Sequence, residues 1–238
     1  MKRPHVVCHM MGSIDGRIVT ERWALTPAAE KQYEAVHALH RVDAWMCGRK
    51  TFQGDFMEQP RDAKFGRAAK VPPVDFIAPE QLRRKGEKVV YAVAVDPAGR
   101  IRWDNNVMRG DRFVVITTQQ APSGYLADLR AKSISYLVAG KKEVDFGAAL
   151  ERLHRIFGIR KLALEGGGGI NGSVLAAGLV DEISLLLCAQ IDGDRCSPTV
   201  FDLPVGREDK LGTTLKLLSV QKRPGDVVWL RYRVQQNP

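Results

Sequence analysis

Residues 89–95 read Val-Val-Tyr-Ala-Val-Ala-Val, seven in succession without a charge. A run of this length and β-branched content suits a strand covered on both faces, as the strands of a parallel sheet are. A sheet with one face in water would alternate apolar and polar residues instead. Asp96-Pro97-Ala98-Gly99 then ends the run with turn formers. The same texture recurs along the chain. Residues 6–11 form an apolar run closed by Ser13-Ile14-Asp15-Gly16, and Ala44-Trp45-Met46-Cys47 stops at Gly48. Phe113-Val114-Val115-Ile116, Ser135-Tyr136-Leu137-Val138, residues 161–165 and a long apolar stretch at 182–191 read the same way.

Helical signals fall between these runs. Thr26-Pro27 opens one helix, threonine capping the free amides and proline suiting the first position. Tyr33, Val36, Leu39 and His40 share one face of it, and it runs to about Arg41. Phe146, Ala149, Leu150, Leu153, Ile156 and Phe157 recur at helical spacing behind Asp145 as cap. A short helix through Val174, Leu175 and Ala176 stops at Gly178, and residues 227–234 close as an alternating strand after Pro224-Gly225-Asp226. The polar stretch 53–81 is long for a loop, so it is read as a functional flap or as partly helical. Strand and helix alternate without repeats or a linker. The expectation is one α/β domain over residues 1–238, with a mainly parallel central sheet, helices on both faces and an antiparallel C-terminal edge.

The net charge of +9 invites a nucleic-acid reading, but the basic residues are scattered and no nucleic-acid motif accompanies them. A basic chain attracts small polyanions equally, and that reading is preferred. Cys8, Cys47, Cys188 and Cys196 form no Cys-x-x-Cys pair and read as reduced core fillers. His5, Cys8 and His9 are disfavoured as a metal site, because neighbours on a strand point to opposite faces. His37 and His40 share a helix face without a carboxylate nearby in sequence, and are read as surface residues. No run approaches a membrane span or a leader's apolar core, so a cytoplasmic protein without membrane or nucleic-acid partners is expected.

Two segments point to ligand chemistry. A strand ends in Glu165, followed by Gly166-Gly167-Gly168-Gly169-Ile170-Asn171-Gly172 and a helix. Glycines let backbone approach a phosphate, and a helix start offers it free amides. The alternative is a tight turn without a ligand. The pattern is neither a dinucleotide fingerprint nor a phosphate loop ending in Gly-Lys-Ser/Thr. In Gly48-Arg49-Lys50-Thr51-Phe52 a buried strand exits into two cations and a hydroxyl, a donor set for phosphate at a strand's C-terminal end. A solvated strand end is the plain alternative. Asp15-Gly16 by itself is a common tight turn.

Together these segments resemble the dihydrofolate reductase superfamily, in which Gly-Arg-x-Thr and a triple-glycine turn hold NADPH. More narrowly, Ser13-Ile14-Asp15-Gly16-Arg17, Leu164-Glu165-Gly166-Gly167-Gly168 and Gly178-Leu179-Val180-Asp181-Glu182 are similar to the pyrimidine reductases of riboflavin synthesis, including the C-terminal half of the bacterial bifunctional deaminase-reductase. The resemblance implies a dihydrofolate reductase-like fold and a homodimer. It implies hydride transfer from NADPH to the ribose C1 of a 5-amino-6-(5-phosphoribosylamino)uracil-type pyrimidine. On it, Gly48, Arg49, Lys50, Thr51, Gly166, Gly167, Gly168, Gly169 and Ile170 hold the cofactor, Trp23 and Thr26 border its nicotinamide, and Asp96 and Gly99 lie near its nucleotide. Asp15 and Glu165 line the substrate side, and Asp15 or Asp55 could relay a proton. One departure stands out: the relatives' Ala-Asp-Asp-Pro-x-Leu is here Gln53-Gly54-Asp55-Phe56-Met57-Glu58, with Arg61 downstream. Only Asp55 lines up, so cofactor use carries over better than substrate. A reductase of a pterin or dihydrofolate-like substrate, and a non-catalytic nucleotide-binding protein, remain open.

Overall fold

A computed structural model describes residues 2–56, 62–66, 70–203 and 212–235. In chain order its elements are β1 (His5–Gly12), α1 (Pro27–His40), β2 (Ala44–Gly48), α2 (Arg49–Phe56), β3 (Tyr91–Val95), β4 (Val107–Met108), β5 (Asp111–Thr117), α3 (Ser123–Ala131), β6 (Ser135–Val138), α4 (Phe146–Phe157), β7 (Lys161–Leu164), α5 (Gly168–Ala176), β8 (Glu182–Leu187), β9 (Leu215–Arg223) and β10 (Val227–Val234). They belong to two compact units. One comprises Met1–Pro4 and Asp43–Leu162, and the other His5–Val42 and Ala163–Pro238.

In the unit that holds residues 43–162, β2 runs parallel to β3, β3 to β5 and β5 to β6, while β4 lies antiparallel on β5. Every residue of β3 is buried, as its unbroken apolar sequence demands of a strand covered on both faces. Asp43 anchors the strand starts. Its Oδ2 accepts from the amides of Arg160 and Lys161, and its backbone carbonyl accepts from the amide of Tyr91. Trp45, Phe52, Trp103 and Phe113 meet as one aromatic cluster, Trp45 stacked on Phe52 and the other pairs tilted or edge-on, with neighbouring ring centroids 5.0–5.7 Å apart. Such large rings supply much of the burial that drives folding.

In the other unit β1 runs parallel to β8, and β10 pairs antiparallel with both β8 and β9. Thr26 Oγ1 accepts from the amide of Ala29 to cap α1, as its sequence predicts. Ala29 and Val36 of that helix pack with Met11, Leu186, Cys188, Val227 and Trp229. Leu39 departs from its expected place on the packed face and is 57% exposed; Gln32 is buried, and so is His40, which was expected on that face.

The expected class, mixed α/β with mostly parallel strands and an antiparallel C-terminal part, is the one found. Boundaries differ. β3 starts two residues late at Tyr91, and β8 stops at Leu187 rather than running to residue 191. Residues 53–81 contain the end of α2 and a short helical turn at Pro79–Gln81, so the stretch is partly helical. α3, β4 and β9 have no counterpart in the sequence reading. α5 begins inside the glycine run, at Gly168.

Candidate active site

β7 delivers Glu165 to the mouth of α5 with its side chain only 7% exposed. Its partner comes from α1: His37 Nδ1 lies 2.5 Å from Glu165 Oε1. The sequence reading of His37 and His40 as surface residues without a carboxylate is therefore corrected. Proximity in the fold, not spacing along the helix, brings Glu165 to His37. His40 is buried, its Nε2 at 3.0 Å from Ser184 Oγ. His9, from β1, meets the same hydroxyl through Nδ1 at 3.1 Å and the carbonyl of Tyr33 through Nε2 at 3.2 Å. Trp229 Nε1 donates to Ser184 Oγ as well, at 2.8 Å. Burial pushes the His9 imidazolium down to about 4, outweighing the nearby Glu165 charge that favours it. His9 is thus neutral at physiological pH. Burial also raises the Cys8 thiol far above its ordinary range.

Asp15 is fully committed. Ser13 Oγ donates to its Oδ1 at 2.6 Å, the amide of Asp192 to the same oxygen at 3.0 Å, and the amide of Gly193 to Oδ2 at 2.9 Å. These donors, Ser13 foremost, hold the carboxyl well below the usual carboxylate range. A group kept ionised is a poor proton donor, so the geometry favours a clasp on the 192–194 turn. The same turn engages Trp23, whose Nε1 donates to Asp192 Oδ2 at 3.0 Å, and Arg22, which pairs with Asp194 at 2.5 Å. Thr26 is the cap of α1.

The glycine run is partly explained from within. A Cβ on Gly168 would lie 2.3 Å from Asp202 Oδ2, and one on Gly172 would lie 2.1 Å from the Asp202 carbonyl. These two glycines admit residues 199–203 against the start of α5. Asn171 ties that crossing, donating to the carbonyls of Gly166 and Val200 at 3.0 Å each. Asp202 in turn accepts from the Thr199 amide and hydroxyl, and places a carboxylate at the positive end of a nine-residue helix. Gly169 differs: a Cβ there would meet nothing within 4 Å. The open approach to the helix start is therefore on the Gly169 and Ile170 side.

In the other unit, α2 begins directly after β2, which puts Arg49, Lys50 and Thr51 in its first turn. The Arg49 guanidinium donates to Gln53 Oε1 at 3.2 Å and pairs with Asp62, which also lies 3.9 Å from Arg100. Asp62 is half exposed, so a bound anion could take its place on the arginine. Asp96 and Gly99 serve the turn after β3. Asp96 Oδ2 accepts from the amides of Arg100 and Ile101 at 2.7 and 2.8 Å, and burial raises this carboxyl against those bonds. Gly99 sits at φ +63°, and a Cβ there would come 2.6 Å from the Tyr125 ring. The Asp55 side chain and Arg61 lie outside the described residues. Cys8, Cys47 and Cys188 are buried thiols as expected, whereas Cys196 is exposed.

Against known proteins, a model of the RibD C-terminal domain matches residues 4–229. A protein of Methanothermobacter thermautotrophicus named 2,5-diamino-6-ribosylamino-4(3H)-pyrimidinone 5′-phosphate reductase is 35% identical over 202 residues, 84% of each chain. A protein of Archaeoglobus fulgidus with the same name is 31% identical over 204 residues, 84% of this chain and 87% of that one. Among solved structures, a pyrimidine reductase-like protein from Corynebacterium diphtheriae has a TM-score of 0.72 at 18% identity, covering 98% of this chain and 93% of its own. That likeness concerns the fold.

Proposed function

This chain belongs to the RibD C-terminal domain family, and from that membership we propose that it reduces a phosphoribosylamino-pyrimidine with NADPH in riboflavin synthesis. The observation that carries the reading is the 35% identity, over 84% of both chains, to a protein named as such a reductase. That name favours 2,5-diamino-6-ribosylamino-4(3H)-pyrimidinone 5′-phosphate over the uracil analogue. Because the family model runs through residues 4–229, the chain is proposed to act as one reductase domain.

NADPH, when bound, supplies the hydride that reaches the sugar C1. The donor sets fit a polyanion. Arg49 can exchange Asp62 for a phosphate, with Lys50 and Thr51 beside it in the first turn of α2. Gly167 and Gly169 are assigned to the backbone that a phosphate would approach at the α5 start, where Gly169 leaves space, with Ile170, whose amide donates to the Gly167 carbonyl at 3.1 Å, beside them. Gly48, at the end of β2, and Gly166, after β7, are assigned to the cofactor side, while Gly168 admits residues 199–203 against the helix start. Trp23 and Thr26 are assigned to the nicotinamide border, and Asp96 and Gly99 to shaping the turn after β3. Glu165 is the carboxylate proposed to meet the substrate, Asp15 orders the 192–194 turn, and Asp55 is kept as a candidate on sequence grounds.

A homodimer is proposed as well. Leu215, Leu217, Leu218 and Val220 of β9 are 39%, 52%, 36% and 56% exposed, an apolar surface that association would cover. A cytoplasmic setting accords with four free cysteines. No helix among the described residues is long and apolar enough to cross a membrane. The deciding experiment follows NADPH oxidation with the diaminopyrimidinone phosphate, its uracil analogue, dihydropterin and dihydrofolate. Turnover of either phosphoribosyl pyrimidine is expected. Turnover of a pterin or folate alone, or cofactor binding with no turnover, would overturn the reading.

A further inference from the structure

Reducing the ribosyl group to a ribityl chain needs more than the hydride. The C1–H bond forms, the bond between C1 and the ring oxygen breaks, and that oxygen must gain one proton. Asp15, held ionised by three donors, is badly placed to give it. Glu165 is better suited, since its side chain is nearly shielded from water and contacts a histidine that water reaches. The His37 side chain is 23% exposed, so it touches both the carboxylate and solvent. The groups around it are settled. His9 on β1 is buried and neutral, its ring centroid 6.2 Å from that of His37. His40 on α1 is bonded to Ser184, Tyr33 on α1 stacks on His9 at 4.6 Å, and Cys8 on β1 is a protonated thiol. Glu182 on β8 is paired with Arg231 at 2.6 Å. His37 is thus the histidine of this cluster that combines a carboxylate partner with access to water.

We propose that His37 is a positioning residue for Glu165: Nδ1–H donates to Oε1 across 2.5 Å, orients the carboxyl and reloads it with the proton that the reduction consumes. Glu165 takes the Nδ1 proton of the His37 imidazolium and passes it to the sugar ring oxygen as the C1–O bond breaks. Solvent then restores the imidazolium. One proton is consumed per turnover, matching the single hydride delivered to C1. The chemistry rests on the reductase reading above, but the pairing does not.

The pairing is tested without turnover, by following the histidine ring resonances against pH in the wild type and in Glu165→Gln. Removing the carboxylate should lower the His37 titration midpoint by about one pH unit or more, because a nearby negative charge favours the imidazolium. Identical titrations overturn the proposal. In the kinetic arm, His37→Ala should lose about tenfold or more in kcat, less than the roughly 10²–10⁴-fold of a group that itself meets the substrate because His37 acts through Glu165, with the KM for NADPH little changed. The pH dependence of kcat should lose the limb that follows His37, and added imidazole should restore part of the rate. An unaltered pH profile together with absent imidazole rescue overturns the relay. If His37→Ala does not fold, His37→Gln carries the rate and pH comparison. A wild type that ignores the pyrimidines, yet shows the Glu165-dependent titration, overturns the reductase reading and upholds the pairing.

Discussion

Arg49, proposed above to meet the cofactor, already has partners. Its guanidinium is held by Asp62 and Gln53, so a phosphate bound there would displace a carboxylate rather than enter an empty place. Arg49→Ala should weaken NADPH by about 1.5–3 kcal/mol, the range for a hydrogen bond to a charged group. Asp62→Asn should tighten it, since a competing acceptor charge is removed. Fluorescence titration with NADPH and NADH checks both; equal affinity of the wild type for the two would sink a role at the 2′-phosphate, and unchanged affinity of Arg49→Ala for both would sink the phosphate role altogether. Asp15 gives the opposite lesson. The sequence shows an Asp-Gly turn beside a strand, and nothing in it tells whether the carboxylate faces a substrate or a backbone. The fold supplies the answer by bringing residues 192 and 193, far along the chain, onto both oxygens. Asp15→Asn keeps one acceptor and turns the other into a donor facing an amide. The expected outcome is a lower unfolding temperature and faster exchange of the Asp192 and Gly193 amides, with NADPH affinity little altered. Amide exchange as slow as in the wild type would remove the clasp.

At the scale of elements, what was legible depended on whether local pattern and tertiary role agreed. β3, α1 and α4 could be read because an unbroken apolar run, a Thr-Pro start and an Asp cap each have one structural meaning. β9 could not be read. Its sequence Leu-Lys-Leu-Leu-Ser-Val-Gln-Lys-Arg is exposed along nearly its whole length, so no burial pattern marks it, and pairing with β10 alone makes it a strand. α5 was misplaced for a different reason. Glycine is a poor helix former, yet the helix starts within the glycine run because residues 199–203 cross it too closely for a side chain. That crossing separates the glycines by experiment. Gly172→Ala should destabilise the fold by about 1–3 kcal/mol, the cost of overpacking, because its Cβ would meet the Asp202 backbone. Gly169→Ala should leave stability equal or slightly higher, Ala being the better helix former, while weakening NADPH if phosphate approaches there. Paired denaturation and cofactor titrations distinguish the two, and equal destabilisation would contradict the crossing. On β9, Leu217→Glu should shift the protein to monomer in light scattering if its apolar row is the covered surface.

For the molecule as a whole, the buried histidine cluster makes a statement about stability and pH. His9 is fully buried, and its imidazolium is pushed from about 6.5 to about 4, chiefly by loss of water and against the favourable charge of Glu165. In the unfolded chain the ring takes a proton below about 6.5, whereas in the folded chain it refuses one until about 4. The unfolded state therefore binds more protons between those limits, and stability must rise with pH across them. The contribution of neutral His9 is fully present above pH 6.5 and is lost progressively as pH falls to 4. A proton bound in one state and refused in the other changes stability by about 1.4 kcal/mol for every pH step of one. Across the window the loss comes to about 3 kcal/mol, a large share of the roughly 5–15 kcal/mol that holds a domain folded. His37 and His40 lie beside the same ring, at 6.2 and 5.2 Å between centroids, so the measurement needs an internal reference. His9→Gln supplies one, because Gln can still meet Ser184 and the Tyr33 carbonyl but takes up no proton. Urea unfolding free energies at pH 7.5, 6, 5 and 4.5 should fall less steeply in His9→Gln than in the wild type, the difference growing toward acid. If the two curves stay parallel down to pH 4.5, the buried ring is not the group through which acid loosens this protein.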